Sequence, residues 1–326
     1  MHMSNVLLSP LVGSAFLTIS GALAGYSSGK MKQEKQPALT PLMGTLGAFV
    51  FAAQMINVSI PATGSSGHLG GGLLLAALLG LHRAFLAMSL LLTLQSVLFA
   101  DGGLLALGCN IFNMAFIPAF IAYPLIFKTL TSNNNSPNRL AVASIIAALA
   151  GVLMGALAVT LQTAVSGISA LPFTTFAAHM LPIHAAIGVA EGVITWAVLT
   201  AVRLQATNLP LHPNAAANIG SVKRAFVMAA LLIGGVGSWF ASAEHDGLEW
   251  SIARTFGSEL PENSSALHNY AAAIQEQTAL FPDYAVPFAP STTTVAGVAI
   301  SLESTIAALI GIGVMLLLTA RKQAKG

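Results

Sequence analysis

The stretch that decides the fold is the first: MHMSNVLLSPLVGSAFLTISGALAGYSSGKMKQEK, residues 1–35. An apolar run begins near residue 6 with no basic segment before it. It lasts long enough to cross a bilayer core, which takes about 20 apolar residues. Lys30, Lys32 and Lys35 come after it. A cleavable signal peptide has the opposite order, with positive charge before a shorter apolar core. The segment therefore reads as a helix that stays in the membrane. Its lysines mark the cytoplasmic side and leave residue 1 outside.

The same pattern recurs along the chain. Spans are predicted near 5–27, 41–58, 70–81, 84–100, 109–128, 140–164, 176–202, 225–243 and 299–320. The third, in GHLGGGLLLAALLGLH, is short and glycine-rich and reads as a half-helix or re-entrant segment. Composition agrees. The chain is 55% hydrophobic and only 7% charged, with mean hydropathy +0.78, where a soluble domain carries about 25% charged residues. The expected fold class is all-α: a polytopic membrane helix bundle of about seven spans, then a C-terminal two-span extension with an extracytoplasmic segment.

Nine alternating crossings place 12 of the 13 Lys and Arg residues inside and leave Arg254 outside. Eight of the 11 acidic residues fall outside: Asp101, Glu244, Asp246, Glu249, Glu259, Glu262, Glu276 and Asp283. The C-terminus is then cytoplasmic, and the expected location is the cell inner membrane, among lipid. The chain divides into a bundle at 1–205, a linker at 206–224 and a two-span piece at 225–326. The outer part of that piece, near 244–298, is polar and reads as partly ordered. The net charge of +2 is sorted by membrane side and gives no reason to expect nucleic acid. Cys109 is the one cysteine, which excludes an intrachain disulfide and a Cys-based zinc site; it reads as a packing residue.

No motif for hydrolysis is present. AGYSSGKM at 24–31 misses the Walker A glycine spacing, and there is no HExxH. The chemistry lies instead at residue 2. A chain that begins X-His offers three nitrogens in sequence: the α-amine of Met1, the amide nitrogen of His2 once deprotonated, and His2 Nδ1. They close a five- and a six-membered chelate ring in one plane. One in-plane position stays open, and a histidine on the same membrane face fills it. His68 is the candidate, in VSIPATGSSGHLGGG (58–72), where Pro61 and the glycines allow non-helical backbone. Such backbone survives at membrane depth where it is buried in protein or lines a cavity. Square-planar nitrogen ligation suits Ni(II) and Cu(II), and Co(II) where its geometry adapts. Retention of Met1 follows from the bulk of His2, which methionine aminopeptidase cuts poorly.

Other polar residues take supporting roles. Glu191 lies mid-span in IGVAEGVIT, where a carboxylate is costly and marks function by default; a buried hydrogen bond and a place on the ion or partner path both remain open. Asn110 and Asn113 share a helical face and read as glue between helices or as support for the His68 loop, as does Ser66. His179 and His184 read as packing or supporting residues, Glu303 as a helix cap, and His245 and His268 as residues of the outer segment. His82 and His212 fall on the cytoplasmic side.

Four stretches in this order, the initial MH, GSSGHLGGG, GGLLALGCNIFNMAF and HMLPIHAAIGVAEG, resemble the CbiM/NikM family. Its members are substrate-binding membrane components of energy-coupling factor (ECF) transporters for cobalt and nickel. The resemblance covers about 1–205. FASAEHDGLEWSIARTFG at 240–257 is similar to the PDGLE-type small subunit, with His245 at the proline position, as in fused NikM–NikN chains. The resemblance implies Ni2+ or Co2+ as transported substrate, held by Met1, His2 and His68, and no organic cofactor. It also implies separate partners: a transmembrane coupling protein and cytoplasmic ATPases.

Rival readings are a cobalt-selective component serving cobalamin synthesis, an assembly subunit that binds no metal, and an intramembrane serine protease. The last rests on GSSG at 64–67 with Ser66 as nucleophile and His179 or His184 as base. The rhomboid-type glycine three places after the base is missing from both histidines.

Overall fold

The computed structural model describes residues 1–34, 36, 39–132, 136–205, 219–257, 265–286, 293–295 and 298–320. Most of the linker (206–218), His212, Glu259, Glu262, Lys35 and the basic C-terminal end lie outside the described residues.

The N-terminal arm makes one 3-10 turn, Asn5–Leu7, before α1, Pro10–Gln33. The first helix therefore starts later than hydropathy alone places it. Ser9 accepts from the Val12 amide and Pro10 stands at the first helical position, a sequence pair that fixes a helix start. Lys30 and Lys32 lie in its last turn, where cations suit the helix dipole. α2 is Leu39–Gln54, followed by a hairpin of β1, Val58–Ile60, and β2, Ser65–Gly67.

α3, Gly72–Leu79, has 8 residues, all buried. At 1.5 Å per residue that is about 12 Å, under half of a hydrocarbon core of about 30 Å. It is the half-helix its sequence suggests, and it is reached through the glycine-rich segment 68–71. Gly80 (φ 78) turns the chain into α4, Leu81–Leu98. α5, Leu107–Thr131, is wound as a π-helix over Phe112–Phe127, around Pro118 and Pro124. Each proline lacks the N–H that an α-turn needs.

α6, Pro137–Ser166, and α7, Phe173–Gln205, form the longest antiparallel pair of the bundle. Arg83, buried at the start of α4, pairs with Glu34 at the end of α1. The extension brings α8, Ile219–Gly235; α9, Gly247–Phe256; α10, Ala266–Thr278; the strands β3, Thr293–Val295, and β4, Val298–Ile300; and α11, Leu302–Thr319.

The extension is packed into the bundle. α2 lies against both α8 and α11. A Cβ on Gly44 would overlap the Thr319 side chain, and one on Gly311 would overlap the Phe51 ring, so small residues let these helices approach. Six of the described helices are long and apolar enough to cross a membrane, and the chain is a multi-pass helical membrane protein.

One smaller expectation changes. The cap of α11 is Ser301, whose hydroxyl accepts from the Ser304 amide, while Glu303 sits in the first turn. The outer segment is ordered over α9 and α10. Asp246 caps α9 in a reciprocal capping box with Glu249, and Ser265 caps α10.

Candidate metal centre at the N-terminus

The N-terminal arm is tied down, with Met3, Leu7 and Leu8 buried. Met3 is 0% exposed. Its amide donates to Asn110 Oδ1 at 2.8 Å, and Asn110 Nδ2 and the Gly103 amide both donate to the Met3 carbonyl. Asn5 Oδ1 accepts from the Leu105 amide at 2.9 Å. His268 Nε2 donates to the Leu8 carbonyl at 2.9 Å. Asn113 exchanges hydrogen bonds with Gln162 and reaches Met3 Sδ. Asn110 holds the arm, and Asn113 joins α5 to α6 through Gln162, in keeping with a role as glue between helices; neither is hydrogen-bonded to the His68 loop among the described residues.

The arm delivers His2 against His68. The two rings stack with centroids 5.4 Å apart and planes 22° from parallel. His68 Nδ1 donates to the Leu69 carbonyl at 3.2 Å, which leaves Nε2 as the nitrogen with a free lone pair. Burial pushes His68 down to about 4, helped by the nearby terminal ammonium and His2. Burial also lowers His2, against the opposing pull of Asp101. Both imidazoles are therefore neutral near neutral pH, the form that binds metal.

Two of the N-terminal nitrogens face carboxylates. The Met1 amine pairs with Asp246 Oδ2 at 3.1 Å, and His2 Nδ1 faces Asp101 Oδ1 at 3.4 Å. Asp101 Oδ2 accepts from Tyr284 at 2.6 Å. Burial alone would raise Asp246. The Met1 ammonium and the Glu249 amide outweigh it and hold the carboxyl below the usual carboxylate range. Asp246, Glu249, Asp283 and Tyr284 come from the extension, and with His2 and Asp101 they line an open polar cavity of about 610 Å³. A second cavity, of about 20 Å³, shares His68 and Asp246 with it and is lined also by Met1, His184, Glu191 and Gly247. That is room for one water-sized occupant.

Ser66 binds the extension. Its hydroxyl donates to the Glu244 carbonyl at 2.7 Å and its amide to the His245 carbonyl at 2.7 Å, so residues 244–246 dock along β2. No histidine side chain is hydrogen-bonded to Ser66 among the described residues, and the nucleophile–base pair that a protease needs is not formed. His179 pairs with Thr255, and His245 is exposed beside Glu249. Glu191 Oε2 and Oε1 accept from the Gly70 and Gly71 amides, each at 3.1 Å.

His184 is the residue that sequence reasoning undervalued. It is 1% exposed, its Nδ1 donates to the Met180 carbonyl at 2.8 Å, and its Nε2 has no partner among the described residues. Five residues after His179 on a helix, nothing in the sequence separated the one facing the cavity from the other. Among the described residues, no three His, Cys, Asp or Glu side chains converge as a metal cluster.

Comparisons with known proteins agree in kind. The family model of the CbiM cobalt uptake substrate-specific transmembrane region matches residues 2–209, and the PDGLE domain model matches 221–321. A protein of Archaeoglobus fulgidus that carries the name fused nickel transport protein NikMN is 34% identical over 200 residues, 61% of this chain and 64% of that one. The chain thus spans less than two thirds of that relative. The cobalt transport protein CbiM of Acetoanaerobium sticklandii is 30% identical over 60% of this chain and 81% of its own. The crystal structure of a truncated transition metal transporter superposes with TM-score 0.55 at 29% identity, over 62% of this chain and 98% of that one. The chain belongs to the CbiM family of cobalt uptake substrate-specific transmembrane proteins and carries a PDGLE domain behind the family region.

Proposed function

We propose that this chain captures nickel at the outer face of the membrane, as the substrate-specific component of an ECF transporter. The ion is held by four nitrogens in one plane: the Met1 amine, the His2 amide, His2 Nδ1 and His68 Nε2. The observation that carries the reading is the buried meeting of His2 and His68, with centroids 5.4 Å apart, beside the Met1 amine. Binding exchanges carboxylates for metal: Asp246 gives up the amine and Asp101 gives up Nδ1. Protons leave the amine and the amide, so acid opposes binding.

The bundle at 1–205 is the binding component. The piece at 225–326 covers the site from outside, with residue 1 outside and the C-terminus in the cytoplasm. A separate transmembrane coupling protein and cytoplasmic ATPases supply the energy. Nickel is favoured by the planar donor set and by the nickel name of the Archaeoglobus relative, whose matched region lies in a fused chain. Cobalt is the second reading, favoured by the CbiM relative. Uptake of labelled nickel and cobalt by cells carrying the chain with its coupling protein and ATPases tests the proposal. Nickel accumulation that disappears in His2→Ala and His68→Ala supports it. Accumulation unchanged in both variants removes it.

A further inference from the structure

Glu191 sits mid-helix in α7 and is 4% exposed. A carboxylate so placed is costly unless its oxygens are satisfied. Among the described residues it has no ion-pair partner. Its two oxygens are divided instead between two successive amides, Gly70 and Gly71. Successive amides in such a turn form a concave anion cradle. Gly71 has φ 79, a conformation that glycine reaches without strain.

The same peptide is gripped from its other side. Gln54 of α2 donates to the Gly70 carbonyl at 2.8 Å, and Gln95 of α4 donates to Gln54 Oε1 at 2.9 Å. There is no slack in the contact: a Cβ on Gly70 would lie 2.6 Å from Glu191 Oε2. Gly70 is two residues past His68, and the carbonyl that fixes the His68 ring, that of Leu69, lies between them.

We infer that Glu191 is a positioning residue for metal capture: with Gln54 and Gln95 it clamps the Gly70 peptide and holds His68 Nε2 in the plane of the N-terminal chelate. This rests on the planar-site reading. Three chelate nitrogens are preset by covalent geometry, whereas the fourth comes from a remote loop and has to be placed. Groups that orient a ligand from behind are worth about 10–100-fold in metal affinity.

The test is nickel titration of the purified full-length chain, read by equilibrium affinity and by the visible absorption of planar four-nitrogen nickel. Glu191→Gln keeps the size and replaces one acceptor oxygen with a donor. The expected result is unchanged thermal unfolding without nickel to within a few degrees, nickel affinity about 10–100-fold weaker, and recovery of the planar absorption on adding free imidazole, which replaces the misplaced His68. His68→Ala should recover in the same way. Unaltered affinity and absorption in Glu191→Gln overturn the inference, as does a loss that imidazole does not restore. Should Glu191→Gln fail to fold, Gly70→Ala disturbs the same contact from the loop side and carries the same expectations. A wild-type chain without the planar absorption would instead overturn the planar site itself.

Discussion

The amine of Met1 and the carboxylate of Asp246, 245 residues apart in sequence, meet at 3.1 Å. The contact joins the first residue of the chain to the PDGLE domain. It packs the extension directly against the N-terminal residues. Asp246 does two jobs there: Oδ2 takes the amine, and Oδ1 caps α9 through the Leu248 and Glu249 amides.

Asp246→Asn keeps an oxygen for the cap and loses the ion pair. Removing one partner of a buried pair costs up to about 3–5 kcal/mol, less here because the two side chains are 10% and 18% exposed. The expected outcome is a lower unfolding temperature without nickel and a smaller deficit with saturating nickel, since the metal takes over the amine. Equal deficits in both conditions would show that Asp246 acts on α9 alone.

Asn110 holds the arm through the Met3 peptide. Asn110→Ala strands a buried amide, at a cost of about 1–3 kcal/mol, and frees the arm on which His2 is mounted. Nickel affinity should fall about 10–100-fold, measured by titration on protein that remains folded. Asn110→Ala protein that binds nickel as well as wild type would show that the arm needs no anchor.

Ser66 and His68 separate transport from proteolysis. Ser66→Ala removes a hydrogen bond to the Glu244 carbonyl, worth about 1 kcal/mol, and should leave most nickel accumulation intact. His68→Ala should abolish it. The reverse pattern would point to Ser66 chemistry.

Burial of neutral His68 sets a pH dependence of stability. Its folded value is about 4 against an ordinary 6.5, and His2 is shifted the same way. Between those values the unfolded chain takes up protons that the folded chain does not. Stability therefore falls as pH drops from about 6.5 to about 4. Thermal unfolding across that range should show a slope in wild type that flattens in His68→Ala.

The membrane class, the approximate helices and the short third segment were legible because hydropathy and lysine placement follow from the bilayer itself. The proposed chelate can be drawn from sequence because Met1 and His2 are neighbours, so bond lengths alone would close the rings. The partners of these residues were not. Asp246 reaches Met1 through tertiary packing across the whole chain. Glu191 was conspicuous as a charge in a span, yet its partners are backbone amides, which leave no mark in a sequence. Asn110 and Asn113 announced a polar helix face, but the object Asn110 holds is a nine-residue arm with no periodicity to read.

The central proposal is that the Met1 amine and His2 supply metal ligands. It is tested most directly by metal analysis of purified protein with its native N-terminus, beside a version with one residue inserted between Met1 and His2. The insertion keeps every side chain and breaks the two fused chelate rings. The account predicts close to one nickel per chain in the first and little or none in the second. Equal nickel in both would contradict it.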